Sequence, residues 1–167
     1  GHRKIGIVCG SAVSEAGLIG SKRVDSAITA FKENKIPFDK RKQFVPGKFS
    51  LEDGYNGTIK LLDRYPEVTA IYAVSDVVAI GALRAINDRN LKVPQDISII
   101  GNDGIDFARY VTPRLATVEQ DASQLAKRSV DDLLLRLNYN KPVIHEIIPF
   151  HVLAGESIRI QKPVEEK

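Results

Sequence analysis

Short β-branched runs alternate along the chain with stretches in which apolar residues recur every three or four positions, a pattern that predicts alternating strands and helices. The clearest unit lies between residues 70 and 103. Ala70 to Val74 is an apolar run bounded by a proline-containing loop before it and by Ser75-Asp76 after it, which predicts a buried strand. Ser75 or Asp76 then caps a helix in which Val78, Ala82, Ala85 and Ile86 keep helical spacing, and Arg89-Asn90 suit its negative end. Beyond Pro94, Ile97 to Ile100 is a second β-branched run, closed by Gly101-Asn102-Asp103. Strand-helix-strand units join parallel strands, and open parallel sheets take ligands beyond the carboxyl ends of those strands. Ser75, Asp76 and Asp103 therefore lie on the candidate binding edge.

The same alternation runs through the rest of the chain. Lys4 to Cys9 predicts a strand, and Gly10 opens a long loop, SAVSEAGLIGSK. A helix is expected over Lys22 to Asn34, with Val24, Ala27, Ile28 and Phe31 as its buried stripe. Gln43 to Val45 predicts a short strand and Pro46-Gly47 a turn. Ser50 then caps a helix with Asp53 three residues on, close to a capping box, and its stripe is Leu51, Tyr55, Ile59 and Leu62. Gly104 to Thr112 is polar, with one turn of helix at most. Leu115 to Val118 predicts a strand, and Asp121 or Ser123 caps a helix through Leu137 with Leu125, Val130, Leu133, Leu134 and Leu137 apolar. Val143 to Leu153 is a last strand pair or one long strand, followed by a frayed tail.

Successive strand-helix units predict an α/β fold with a doubly wound parallel sheet. The first two turns of the helix at Val77 to Leu83 are apolar all round, although a helix facing only a sheet shows a polar side. The expectation is that its outer face is buried against a second copy of the chain.

Composition narrows the picture a little. With 167 residues, 43% hydrophobic and 27% charged, the chain has ordinary globular composition, enough for one proper core, and no apolar run of membrane length. The start, GHRKIG, leaves open that the chain is a fragment. The single Cys9 excludes an internal disulfide and a multi-cysteine metal site and fits a reducing, cytoplasmic setting. The net charge of +3 comes from dispersed basic pairs, weak evidence for nucleic-acid contact.

Catalytic constellations are weak: no nucleophile elbow, P-loop, dinucleotide fingerprint or H-E-x-x-H is present. His145 and His151 would share a face if their strand were continuous, and ordinary surface histidines are favoured over a metal pair. Asp76 and Asp103 are a conceivable acid/base pair, with the helix-cap reading of Asp76 favoured over catalysis. Asp103 has no following helix to cap, so a ligand or a turn is its expected task. Arg23, at the first turn of its helix, opposes the helix dipole and is explained by an acidic neighbour, by a hydroxyl-rich ligand, or by simple solvation.

A series of short motifs, in order, resembles the effector-binding domain of the LacI/GalR family of bacterial transcription regulators, whose fold is periplasmic-binding-protein-like of type I. The resemblance runs from Gly1-His2-Arg3-Lys4-Ile5-Gly6 through Gly47-Lys48-Phe49-Ser50 with Gly54-Tyr55, then Thr69 to Ala73 with Ser75-Asp76 and Ala79 to Ala85. It continues through Val93 to Gly101 with Asp103 and ends in Tyr110-Val111-Thr112-Pro113, Leu115, Thr117-Val118 and Gln120, covering nearly the whole chain.

The resemblance implies two similar subdomains around an effector cleft, with a helix-turn-helix headpiece that reads operator DNA. Residues 1–112 and 139–160 would form the second subdomain, 113–138 would cross back to the first, 161–167 would be a tail, and the headpiece would lie outside this chain. The family's effector contacts fall on Arg23, Phe49, Ser75, Asp103 and Gln120, a set suited to a sugar or related polyol: an arginine fork and a carboxylate chelate adjacent hydroxyls while an aromatic face covers a ring. For Phe49 a core or staple role stands beside this one. Ser26-Ala27 replaces the family's usual Gly-aromatic pair, the loop before Arg23 is long, and Ser75 stands where many sugar responders have Asn. Dimer contacts are implied at Val77, Ile80, Gly81 and Tyr110. The resemblance implies no catalytic residue, metal, cofactor or membrane partner. A periplasmic sugar-binding protein and a small α/β enzyme using Asp76 and Asp103 are the rival readings.

Overall fold

The computed structural model describes residues 1–10, 19–139, 142 and 145–161. The glycine-containing loop after Gly10 and the tail from residue 162 therefore lie outside the described residues. Six strands form one sheet in the order β2-β1-β3-β4-β5-β6: β1 (Ile5–Val8), β2 (Phe44–Val45), β3 (Ala70–Ala73), β4 (Ser98–Asp103), β5 (Ala116–Gln120) and β6 (Phe150–Leu153). The first five are parallel and β6 runs antiparallel along β5. Helices α1 (Ile19–Glu33), α2 (Lys40–Gln43), α3 (Leu51–Arg64), α4 (Asp76–Asp88) and α5 (Ala122–Tyr139) fill the connections, with a 3-10 turn at Asp106–Arg109. The expected α/β architecture is the observed one.

Right-handed crossovers place α1, which links β1 outward to β2, on one face of the sheet, and α3 and α4, which progress the other way, on the opposite face. The period-two alternation of β-strands does the rest. Ile5, Ala70, Tyr72 and Ile100 turn toward α1, while Ile71, Ile99 and Gly101 turn toward α4. Ile7, Val8, Leu61, Ile71, Val74, Val78, Ile86 and Ile99 are almost wholly buried. Burial of each such side chain stabilises the fold by about 1.5–3 kcal/mol before entropy is set against it.

Four expectations change. The helix at Val77 to Leu83 has most of its circumference covered within the chain, with only Val77 and Ile80 left half-buried. Gly81 is buried against α3, where a Cβ would stand 2.1 Å from Leu51 O, and a Cβ on Gly54 would stand 2.3 Å from Val78 O. Two glycines let the α3 and α4 backbones touch, so Gly81 is covered within the chain by α3. Second, Pro113 is not where the chain leaves the sheet: Ala116–Gln120 pairs with β4 from Ile100↔Ala116 to Asp103↔Glu119, so the exit follows Gln120. Third, α1 begins at Ile19, which moves Arg23 into the second turn and weakens its conflict with the dipole. Finally, β6 is one short strand; His151 pairs opposite Glu119, but His145 precedes the strand, so the two histidines do not form a facing pair. Part of that predicted strand, Val143 and Ile144, lies outside the described residues.

The caps follow the sequence closely. Ser50 Oγ accepts the Asp53 N–H at 3.0 Å and donates to Asp53 Oδ2 at 2.5 Å, a reciprocal cap closing on the hydroxyl. Asp121 Oδ1 accepts the Gln124 N–H at 2.8 Å at the head of α5. That helix forms as the periodicity predicts, yet none of its residues is buried among the described residues, and Leu125, Val130, Leu133, Leu134 and Leu137 remain exposed.

Candidate functional site

Five backbone ends meet at one rim of the sheet. At the end of β1, Cys9 and Gly10 both take positive φ (67° and 94°), and Gly10 bridges to Gly47 through reciprocal backbone bonds of 2.9 and 3.2 Å. This bridge fixes the loop that carries Phe49. The ring is 46% exposed, so it is not core, and its staple position four residues into α3 is Gly54, which offers no side chain; the Arg23 guanidinium carbon stands 5.9 Å from its centroid.

Arg23 reaches from α1 over the ends of β3 and β4. Its Nη1 donates to Val74 O at 2.6 Å and its Nη2 to Asp103 Oδ1 at 2.6 Å. Gln120 Nε2 donates to the same carboxylate oxygen at 3.0 Å from the end of β5. The arginine side chain is 17% exposed and that of Asp103 31%, so the pair is partly shielded while one face stays open to solvent. The acidic partner that a helix-borne Arg23 called for is thus Asp103. Its second carboxylate oxygen, the Gln120 amide and the Phe49 face leave hydrogen-bonding and stacking capacity for a polyol ring.

The remaining candidates fare differently. Ser75 is 2% exposed, and its Oγ accepts the Val78 N–H at 3.3 Å, which makes it the N-cap of α4 and removes it from the open rim. Asp76 is not the cap. It is fully buried, with Oδ2 accepting the N–H groups of Gly104 (2.7 Å) and Ile105 (2.8 Å) and Oδ1 accepting the Thr117 hydroxyl (2.5 Å). Both of its oxygens are held by protein donors and it has no path to solvent, so a substrate cannot reach it and Asp76 and Asp103 do not form an acid/base pair.

Two neighbours were not singled out from sequence. Asn102 Nδ2 donates to the Tyr72 hydroxyl at 3.2 Å on the α1 side of the rim. Burial, the largest effect, holds the Tyr72 hydroxyl above its ordinary value; the Asn102 bond and Arg23 act against this and Asp103 with it. Strand alternation could have found this pair, because Asn102 falls on the face opposite Gly101 and on the same side as Tyr72.

Cys9 lies beneath the rim. Burial, with the Asp53 charge added, pushes its thiol from the ordinary 9.0 up to about 12. A folded value above the unfolded one means that the contribution is fully present below about pH 9 and is lost as pH rises toward 12. Relative to Cys9→Ala, the wild-type chain is therefore expected to lose up to about 1.4 kcal/mol of stability per pH unit across that window, read from urea unfolding at each pH. Parallel stability curves for the two proteins would show that the thiol does not titrate with folding.

Comparison with known proteins bears on what this rim serves. Residues 1–158 match the periplasmic binding protein-like domain. The ribose operon repressor of Haemophilus influenzae is 37% identical over 137 residues, which make up 82% of this chain and 40% of that protein. A solved complex of the transcriptional regulator CelR with cellobiose superposes with a TM-score of 0.85 at 25% identity, over 94% of this chain and 47% of that one. A LacI-family regulator from Enterococcus faecium with bound ribose gives 0.79 at 28% identity, over 95% and 57%. The chain spans about 40% of the length of the curated relatives it matches.

Proposed function

Since the chain belongs to the periplasmic-binding-protein-like domain family of LacI-type regulators, we propose that it forms one wall of an effector cleft for a sugar or related polyol. The observation that carries this is the Arg23–Asp103 pair at 2.6 Å on the carboxyl edge of the sheet, with Gln120 on the same carboxylate and the Phe49 ring beside it. A fork and a carboxylate in contact make a preorganised chelate for vicinal hydroxyls, and an open aromatic face accepts the apolar side of a pyranose or furanose. Relatives described with ribose and cellobiose support the carbohydrate class.

Residues 1–120 together with 145–160 would be one subdomain, and α5 would cross to complete the other. Its exposed leucine stripe and the 40% coverage of the relatives support that division. An effector that favours one orientation of the two subdomains would change how paired DNA-reading headpieces, supplied by sequence beyond this chain, fit an operator. The paired state would use the half-buried Val77 and Ile80 of α4 with Tyr110, which is 83% exposed.

A thermal-shift screen of ribose, cellobiose, other sugars, sugar phosphates and nucleosides tests the reading. A ligand present at a hundred times its dissociation constant stabilises by about 2.7 kcal/mol, a rise of several degrees in Tm, and Arg23→Met is expected to lose that rise. If no compound moves the transition at millimolar concentration, in this chain or in one extended upstream, the cleft assignment is wrong.

A further inference from the structure

Asp76 is the only acidic or basic residue fully buried among the described residues, and the effector chemistry above makes no use of it. It stands in the first turn of α4, where a carboxylate suits the helix dipole and could remain in solvent. Instead it reaches across to the segment that follows β4. The reason lies in the backbone there. Asp103 has φ 136° and Gly104 φ 78°, two successive residues in the left-handed half of conformational space, and this aims the N–H groups of Gly104 and Ile105 at one point. Asp76 Oδ2 occupies that point at 2.7 and 2.8 Å, and the Thr117 hydroxyl holds the other oxygen at 2.5 Å. Room for the carboxylate comes from Gly101, where a Cβ would stand 2.2 Å from Asp76 Oδ1.

The residue whose conformation this arrangement sets is Asp103. A non-glycine residue at such a φ is strained, and it persists only where neighbours overdetermine it. Here the N–H groups of the next two residues are tied to Asp76, and the side chain is tied to Arg23 and Gln120. Resting on the effector-site reading of Asp103, we infer that Asp76 is a positioning residue. Through the Gly104 and Ile105 amides it holds the Asp103 backbone in the conformation that presents its carboxylate to the cleft, and so it sets affinity without touching the ligand. The N-terminus of α4 and the ligand-facing carboxylate are thereby joined by one buried group.

Two variants test this in the full chain: Asp76→Asn, which keeps the shape but replaces one acceptor with a donor, and Thr117→Val, which keeps volume and removes one supporting bond. Hydrogen exchange is read by NMR at Gly104 and Ile105, with Ile7 and Tyr72 as reporters of the rest of the sheet. The Arg23 guanidinium protons report the Asp103 contact, and D-ribose binding is measured by calorimetry. In Asp76→Asn, Gly104 and Ile105 are expected to exchange about tenfold faster or more with Ile7 and Tyr72 unmoved, and the Arg23 protons to lose protection. The D-ribose dissociation constant should rise by about tenfold in the same variant and by about threefold in Thr117→Val. Unchanged exchange at Gly104 and Ile105, acceleration spread evenly over the sheet in both variants, or unaltered D-ribose affinity in Asp76→Asn would overturn the assignment. Absence of D-ribose binding by the wild-type chain counts against ribose as the effector, while the exchange and guanidinium readings still decide what Asp76 holds.

Discussion

Asp103→Gly is expected to fold more stably than Asp103→Ala by about 1 kcal/mol, although both remove the same carboxylate and both weaken binding of any polyol effector by about a hundredfold or more. Loss of the carboxylate breaks a charge-assisted contact at 2.6 Å and leaves Arg23, at 17% side-chain exposure, without its anion. In a site this open to solvent the cost is about 2 kcal/mol for either variant. They differ in the backbone. At φ 136° an alanine retains a strain of about 1–3 kcal/mol that a glycine does not have, and the greater freedom of glycine in the unfolded chain returns only about 0.4–1 kcal/mol of that. Urea unfolding of the two variants, beside calorimetry with whichever sugar the wild type binds, separates the chemistry of the carboxylate from the geometry beneath it. Equal stabilities would mean that the backbone at Asp103 is relaxed, and undiminished sugar binding in both would remove Asp103 from the site.

Gly81→Ala is expected to destabilise the chain by about 2–3 kcal/mol, even though alanine in place of glycine inside a helix ordinarily gains about 1 kcal/mol. The new Cβ would lie 2.1 Å from Leu51 O and 2.9 Å from Tyr55 N, both backbone atoms, so no rotamer change can make room. Helices α3 and α4 would have to move apart, loosening the packing of Val78, Ala82 and Leu62 beneath them. Gly57→Ala is the control. Its Cβ would meet a side-chain methyl of buried Val8 at 3.0 Å rather than backbone, so the clash is milder and the helix gain of about 1 kcal/mol offsets more of it. Should Gly81→Ala unfold at the same urea concentration as Gly57→Ala, the two backbones are not in contact.

Much of the fold was legible because it rests on local periodicity. Strand alternation at Ala70 to Val74 and Ile97 to Ile100, the three-to-four spacing of Val24, Ala27, Ile28 and Phe31, and Ser50 with Asp53 each depend on residues within a few positions of one another. The short α2 was missed because KRKQ has no apolar period to announce it; Asp39 starts it by accepting the Arg41 N–H, and Gln43 is held by Ile5 O at 2.7 Å. The candidate site was legible in part. Arg23 and Asp103 stand out by their positions, Phe49 and Gln120 only through the family resemblance, and the four converge in space.

By itself, then, the sequence determined the α/β class, the order of the main elements, the Ser50 cap and the identity of the polar residues at the strand ends, since these follow from propensity and pattern over short spans. What only the tertiary structure decided were the choices between partners distant in sequence. Ser75 rather than Asp76 caps α4, because Asp76 is drawn to amides 28 and 29 residues away. Much of the apolar circumference of α4 is covered by α3, because glycines 27 positions apart allow backbone contact. Arg23 finds its counterion 80 residues on. A periodic pattern states that a surface will be covered and a charge answered, but which group does so depends on the folded path of the whole chain.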